Sequence, residues 1–255
     1  MRLLRSLPHS CFVVPASRAP PSASRPMKRD VGVIIVAAGS GSRTGSAELK
    51  QFRWVAGKPM LLHSIQTFQA RAEVAMVVCV LPREFVGDPP PWIFQSDADR
   101  LLLSVGGRHR CESVANGLED LPDECEIVVI HDAARPLVSG ETIGRVIEEA
   151  RKGNGAVAAL PVFDTLKRVD SSGKIVVTVD RFGLWRAQTP QAFPRKVIER
   201  AHREAREADR IATDDAALCE QIGLPVVVVR GSERAHKITE ENDFALVEAL
   251  SIFRE

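Results

Sequence analysis

From Val31 onward the chain alternates short β-branched apolar runs with segments of helical periodicity, and this alternation constrains the fold more than any other feature. The runs predict strands at Val31–Ala38, Ala75–Leu81, Leu101–Val105, Glu126–His131, Ala156–Val162 and Val226–Arg230. They are apolar nearly throughout, as strands are when helices cover both faces of a parallel sheet. Between them the pattern predicts helices at Pro59–Ala70, Glu112–Asp120, Gly140–Lys152, Pro194–Ala208, Asp214–Gln221 and Glu240–Phe253. Pro59 suits a first helical turn, where a missing N–H costs nothing. Gly153 and Gly223 suit helix ends. The predicted class is α/β with a mostly parallel sheet.

One segment breaks the alternation. Asp164–Arg181 (DTLKRVDSSGKIVVTVDR) predicts two short strands around a turn at Ser171–Gly173. A hairpin leaving the main sheet has unpaired edges that need cover. It reads either as a surface excursion or as an arm, at about residues 163–183, that docks on a second subunit. Asp88–Pro91 reads as a rigid surface loop without chemistry.

A chain of 255 residues is long enough for one sizeable core. No apolar run approaches the roughly 20 residues that cross a bilayer, so no membrane span is expected. Cys11, Cys79, Cys111, Cys125 and Cys219 are widely spaced, with no CxxC pair. That argues against a disulfide framework or zinc site and fits a reducing compartment. The net charge of +1 conceals a division: residues 1–29 carry Arg2, Arg5, Arg18, Arg25, Lys28 and Arg29 without an acid, which leaves the body acidic. An acidic body is a poor nucleic-acid binder, because that affinity comes largely from neutralising many phosphates. Residues 1–28, rich in Arg, Ser, Ala and Pro, read as a disordered basic tail, arising from a start codon upstream of Met27 or serving as a transit peptide. Residues 29–255 read as a single domain.

The first strand runs into VAAGSGSRTGSAELKQF, Val36–Phe52. Its glycines, Gly39, Gly41 and Gly45, are spaced G-x-G-x-x-x-G. That misses the dinucleotide fingerprint G-x-G-x-x-G, and no GK[ST] follows to make an ATP-type phosphate loop. What remains is a glycine-rich loop offering backbone N–H groups to an anion, with Arg43 and Lys50 seven residues apart. A phosphate-binding loop and a surface loop with two solvated cations fit these residues equally well.

Later segments occur in an order that narrows the choice: Gly106–Leu118 (GGRHRCESVANGL), His131–Pro136 (HDAARP), Pro161–Arg168 (PVFDTLKR), Val179–Phe193 (VDRFGLWRAQTPQAF), Ala212–Leu218 (ATDDAAL) and His236–Thr239 (HKIT). With VAAGSGSR and LKQF, the chain over about residues 31–250 resembles the 2-C-methyl-D-erythritol 4-phosphate cytidylyltransferases of the non-mevalonate isoprenoid pathway. The resemblance implies a Rossmann-like, GT-A-type nucleotidyltransferase sheet with a protruding hairpin arm. It also implies the transfer of a cytidylyl group from CTP to the sugar-alcohol phosphate, with Mg²⁺ carried on the CTP phosphates. Ribitol-5-phosphate cytidylyltransferases share the glycine-rich loop, an HDA-x-RP segment and QTPQ, and they form the nearest alternative. A catalytically inactive nucleotide-binding relative is another. Asp180–Arg181 and Gly183–Leu184–Trp185 favour the methylerythritol type.

Carried over motif by motif, the resemblance implies that Arg43 and Lys50 stabilise charge on the α-phosphate and leaving group. Ala37, Ala38, Gly39, Ser40 and Gly41 would cradle the phosphates. Gly106, Gly107 and Ser113 would recognise cytosine, with Ser113 alternatively a helix-terminus hydroxyl. Asp132, at a strand's C-terminal end, would meet ribose, Mg²⁺ or the substrate alcohol, and Arg135 would pair with it or reach substrate. Thr165 and Arg181 on the arm, Lys237 in HKIT and Thr189 in QTPQ would position the methylerythritol phosphate, the arm crossing to the other subunit of a homodimer. Leu49 stands where the family commonly has Pro, which implies a less stiff loop and weaker CTP binding. His236 stands where the family usually has Asn. The bacterial type implies a cytoplasmic protein, and a transit peptide would imply a plastid one.

Overall fold

The computed structural model describes residues 28–39, 48–210 and 212–253. Within them a seven-stranded sheet carries the core. Its strands are β1 (Val31–Val36), β2 (Val74–Leu81), β3 (Leu101–Val105), β4 (Ile127–Asp132), β5 (Gly155–Pro161), β8 (Trp185–Pro194) and β9 (Val226–Arg230). The two arm strands are β6 (Leu166–Val169) and β7 (Ile175–Val179). Across the sheet the order is β9-β5-β8-β4-β1-β2-β3. All pairings are parallel except those of β8, which runs antiparallel to both β4 and β5.

The apolar runs of the central strands are buried on both faces because alternate residues feed two cores. Val31, Val33 and Ile35 join one cluster with α1 (Met60–Gln69) and α3 (Gly140–Arg151). Ile34, Val78, Val80 and Ile130 join the other with α2 (Arg110–Glu119), α4 (Arg195–Glu207) and α5 (Asp215–Gln221). Ile34 and Ile35 are both fully buried. Truncating either to Ala would cost roughly 2–5 kcal/mol through lost transfer energy plus the cavity left behind.

Helix boundaries follow local chemistry. Ser139 caps α3 by accepting from the Thr142 N–H, and Asp214 caps α5 by accepting from the Ala217 N–H. Gly153 and Gly223 end their helices at φ +92° and +76°, a region that glycine enters without a Cβ penalty. Pro59 and Pro194 sit one residue earlier than the sequence suggests, as extended N-caps (φ −56° and −59°) preceding α1 and α4. The last helix, α6, spans Asn242–Ile252.

The sequence pattern missed β8. Its residues are mixed polar and contain Pro190, which reads as a break. The strand is nevertheless central, because its buried polar groups tie three loops together. Gln188 exchanges hydrogen bonds with the Ser232 backbone, and Gln191 donates to Asp214 and accepts from the Ala216 N–H. Thr189 reaches β4.

The hairpin is present. β6 and β7 pair antiparallel as a separate two-stranded sheet. Its turn forms because Asp170 Oδ1 accepts from the Ser172 and Lys174 N–H groups while Gly173 takes φ +81°. The hairpin and its flanks expose Phe163, Val169, Ile175, Val176 and Phe182.

Candidate active site

A cleft of about 300 Å³ opens at the C-terminal ends of β1, β3 and β4. That is where open α/β sheets bind ligands, since the loops leaving parallel strands diverge there. Three segments wall it: Ala37–Gly39 after β1, Gly107–Arg110 after β3, and Asp132–Ala134 after β4. Lys50 and Lys237 enter from elsewhere in the chain.

The β1 and β3 loops are packed against each other so closely that only glycine fits. A Cβ on Gly106 would lie 2.2 Å from the Ala38 Cβ and 3.3 Å from the Leu81 carbonyl oxygen, which already accepts from the Gly106 N–H at 2.8 Å. A Cβ on Gly107 would lie 2.3 Å from the Glu112 Cβ. Ser113 lines the cleft, with its hydroxyl accepting from the Gly107 N–H (3.1 Å) and donating to the His109 carbonyl (3.2 Å). Its side chain therefore holds the glycine pair in place. Gln51 does the same for the first loop by donating to the Gly39 carbonyl.

Lys50 stands on a short turn of 3₁₀ helix, Lys50–Phe52, anchored by the buried Phe52 ring edge-on to Phe85 and Trp92. Its Nζ donates to the Ile238 carbonyl at 2.7 Å, joining LKQF to HKIT across 188 residues. Arg43, Ser40 and Gly41 lie outside the described residues.

Asp132 is the hub. Lys237 Nζ is 2.6 Å from its Oδ2 and Arg110 Nε is 3.3 Å from its Oδ1. Burial alone would raise this carboxyl, but Arg110 and Lys237, with Arg135 behind them, outweigh it and hold it well below the usual carboxylate range. Both oxygens thus have cationic partners. Its backbone is fixed as well, because the Asp132 N–H donates to Thr189 Oγ1 at 3.0 Å. That hydroxyl in turn lies 3.1 Å from His131 Nδ1, and His131 Nε2 lies 3.2 Å from the Arg135 carbonyl. The carbonyl can only accept, so Nε2 carries the proton and Nδ1 accepts from Thr189. Burial pushes the His131 imidazole down to about 4, so it is neutral.

Two of the expected substrate residues are engaged elsewhere. Thr189 is 5% exposed and commits its hydroxyl to Asp132 and His131. Arg135 meets Asp132 through the backbone, its N–H donating to the Asp132 carbonyl at 3.0 Å, while its Nη1 donates to the Ala235 carbonyl at 2.8 Å and braces the loop that carries Lys237. Thr165 and Arg181 are exposed on the arm and do not line this cleft, and Arg181 donates to the Phe163 carbonyl. His236 acts locally by pairing with Asp243, whose other oxygen accepts from the Thr239 and Glu240 N–H groups.

Arg110 escaped the motif pattern. A cation at a helix N-terminus opposes the dipole and signals that acids must be near. They are Asp132 and Asp215, the latter 2.6 Å from Arg110 Nη1. The doubled acid of ATDDAAL carried the matching signal, since one Asp suffices to cap α5.

Glycine amides and cations from distant segments, converging at the C-terminal ends of parallel strands, define an α/β protein of the nucleotidyltransferase class. Residues 31–252 match the model of the IspD family, 2-C-methyl-D-erythritol 4-phosphate cytidylyltransferase. The chain is 42% identical over 226 residues to the 2-C-methyl-D-erythritol 4-phosphate cytidylyltransferase of Syntrophus aciditrophicus, covering 88% of this chain and 96% of that protein. It is 42% identical over 243 residues to the protein of the same name from Ralstonia nicotianae, covering 89% and 93%. The crystal structure of the Thermus thermophilus enzyme of that name superposes with a TM-score of 0.74 at 35% identity, covering 88% of this chain and all of that one. The chain belongs to the 2-C-methyl-D-erythritol 4-phosphate cytidylyltransferase family.

Proposed function

We propose that this chain transfers the cytidylyl group of CTP to 2-C-methyl-D-erythritol 4-phosphate, releasing pyrophosphate. The observation that carries the reading is the meeting of Lys50, Lys237 and Arg110 with the Gly39 and Gly107 backbone around one cleft. Two polyanions repel each other, so the site serves mainly to hold charge and geometry rather than to move protons. A phosphate oxygen of the acceptor attacks the α-phosphorus of CTP in line; that P–O bond forms as the bond to the bridging oxygen breaks, and pyrophosphate leaves. A phosphate monoester has a second pKa of about 6 and needs no general base near neutral pH. The neutral, buried His131 is in keeping with that.

In this reading Arg43 and Lys50 face the triphosphate and Lys237 the acceptor phosphate. Asp132 keeps Lys237 and Arg110 apart and oriented until the phosphates arrive. Gly106, Gly107 and Ser113 shape the pyrimidine pocket. Among the described residues no cluster of three metal-ligating side chains occurs, and Asp132 is the only carboxylate lining the cleft. That donor set fits a Mg²⁺ ion held by phosphate oxygens and water, with Asp132 its one protein neighbour. When bound, the ion supplies charge neutralisation on the triphosphate.

Thr165 and Arg181 enter through dimerisation: the arm, with its exposed Phe163, Val176 and Phe182, crosses to a second copy and delivers both residues to that copy's cleft. No described helix is long and apolar enough to cross a membrane. The free thiols of Cys79, Cys111, Cys125 and Cys219 suit a reducing cytoplasm.

Phosphorus NMR tests the reaction. With CTP, Mg²⁺ and the methylerythritol phosphate, the α-phosphorus signal should move into a new diphosphate diester as free pyrophosphate appears. Unchanged spectra would reject the reading. Light scattering of a chain lacking residues 164–181 should report monomer where the intact chain reports dimer.

A further inference from the structure

On α4 the buried stripe Ile198, Ala201, His202 and Ala205 is apolar except for His202. Such a position ordinarily takes leucine, and a buried imidazole carries a desolvation cost unless it is partnered. Its partner is Asp215, with His202 Nε2 3.1 Å from Oδ1. Asp215 is 1% exposed, and its Oδ2 accepts from Arg110 Nη1 at 2.6 Å. Arg110 Nε then reaches Asp132, whose far oxygen meets Lys237.

The manner in which Arg110 is held makes His202 matter. A guanidinium gripping one carboxylate through two parallel bonds fixes its own tilt. Arg110 does not: it touches Asp215 through Nη1 and Asp132 through Nε, while Nη2 is buried without a partner. A group spanning two acids by single bonds takes its orientation from where those acids sit. Asp132 is set by Thr189 through the backbone. Asp215 needs a second restraint on its free oxygen, and His202 provides it.

We infer that His202 is a positioning residue for the reaction, fixing the plane of Asp215 and thereby the tilt of Arg110 against the Asp132–Lys237 pair. This rests on the reading of that cleft as the reaction site. His202 is not among the residues lining the cleft; it acts through two side chains. Loss of a hydrogen bond to a charged group is worth about 1.5–3 kcal/mol, so His202→Leu should lower kcat/KM for the acceptor phosphate on the order of 10- to 100-fold. His202→Gln, whose amide reaches about as far as Nε2, should restore most of it.

Two readouts separate this from a merely structural role. In an Arg110→Ala background, His202→Leu should cause no further fall in kcat/KM, whereas independent defects would multiply. In protein labelled with ¹⁵N at arginine, the Arg110 Nε–H resonance should move in His202→Leu and return in His202→Gln. If His202→Leu does not fold, His202→Asn, whose amide stops short of Asp215, takes its place. An unmoved Arg110 resonance, or multiplicative losses in the double variant, would overturn the assignment. The resonance decides the matter without turnover, so a wild type that makes no product would count against the proposed reaction and leave the relay standing.

Discussion

Lys237 Nζ lies 2.6 Å from Asp132 Oδ2, joining residues 105 positions apart at the mouth of the cleft. The lysine side chain is 41% exposed and the aspartate 12%, so the cation faces solvent while the acid behind it does not. An arriving phosphate can therefore take the ammonium without uncovering the carboxylate. Lys237→Ala should lower kcat by about 10²–10³, the usual cost of removing one donor to developing charge. Steady-state kinetics with saturating CTP checks this, and a variant within a few-fold of wild type would show that Lys237 only balances Asp132.

The neutral His131 makes stability depend on pH in a defined window. Its folded pKa of about 4 lies below the unfolded value near 6.5, so between those limits the unfolded chain binds a proton that the folded chain refuses. Stability is complete above about pH 6.5, falls as pH drops, and has lost roughly 3 kcal/mol from this group below about pH 4. Urea unfolding between pH 4 and 6.5 should show a slope shallower by up to one proton in His131→Gln than in wild type. Equal slopes would contradict the buried neutral imidazole.

At Gly106 the close approach to Ala38 predicts a compensated pair. Gly106→Ala forces a 2.2 Å contact between two Cβ atoms, so the backbone of one loop must shift. Overpacking of this kind costs about 1–3 kcal/mol. It should also displace the Gly107 backbone and raise the KM for CTP. Adding Ala38→Gly removes the colliding atom and should recover both losses, as melting curves and CTP titrations would report. Failure of the double variant to recover would place the strain elsewhere.

Leu49 is compatible with the proline common in the family. Its φ of −60° is inside the proline range, and its side chain is only partly buried against the core. A residue already held in this conformation gives little loop stiffness away, so the weaker CTP binding implied by the departure need not follow. Leu49→Pro should fold, with the gain of about 0.4–1 kcal/mol from a restricted unfolded chain offsetting lost packing. A KM for CTP within a few-fold of wild type is the expected result, measured beside thermal melting. A large fall in stability or a large rise in KM would mean that the Leu49 N–H or side chain is needed.

The central strands Val31–Val36, Val74–Leu81 and Ile127–Asp132 were legible because burial on both faces favours a nearly continuous apolar run. The edge strands Leu101–Val105 and Val226–Arg230 leave Leu102 and Val228 exposed, yet their short runs rich in leucine and valine still match the expected spans residue for residue. β8 was not legible, because its polar residues are satisfied by partners more than 20 positions away, as Gln191 is by Asp214 and Gln188 by Ser232. The cleft divides in the same way. Lys50, Asp132, Lys237 and the glycine loops could be read from motifs, whereas Arg110, Asp215 and His202 derive their meaning from one another across α2, α4 and α5. Thr189 and Arg135 were recognised as important, but their bonds run to Asp132, His131 and Ala235 rather than into the cleft.

The central claim is that fixed cations in this cleft bring CTP together with one particular phosphorylated alcohol. Pyrophosphate release measured side by side with 2-C-methyl-D-erythritol 4-phosphate and with ribitol 5-phosphate tests it most directly. The account predicts CTP-dependent release with the methylerythritol phosphate and a kcat/KM at least about 100-fold lower with ribitol phosphate, a margin that interactions with the acceptor's distinct groups can supply. Equal or faster release with ribitol phosphate, or none with either, would contradict it.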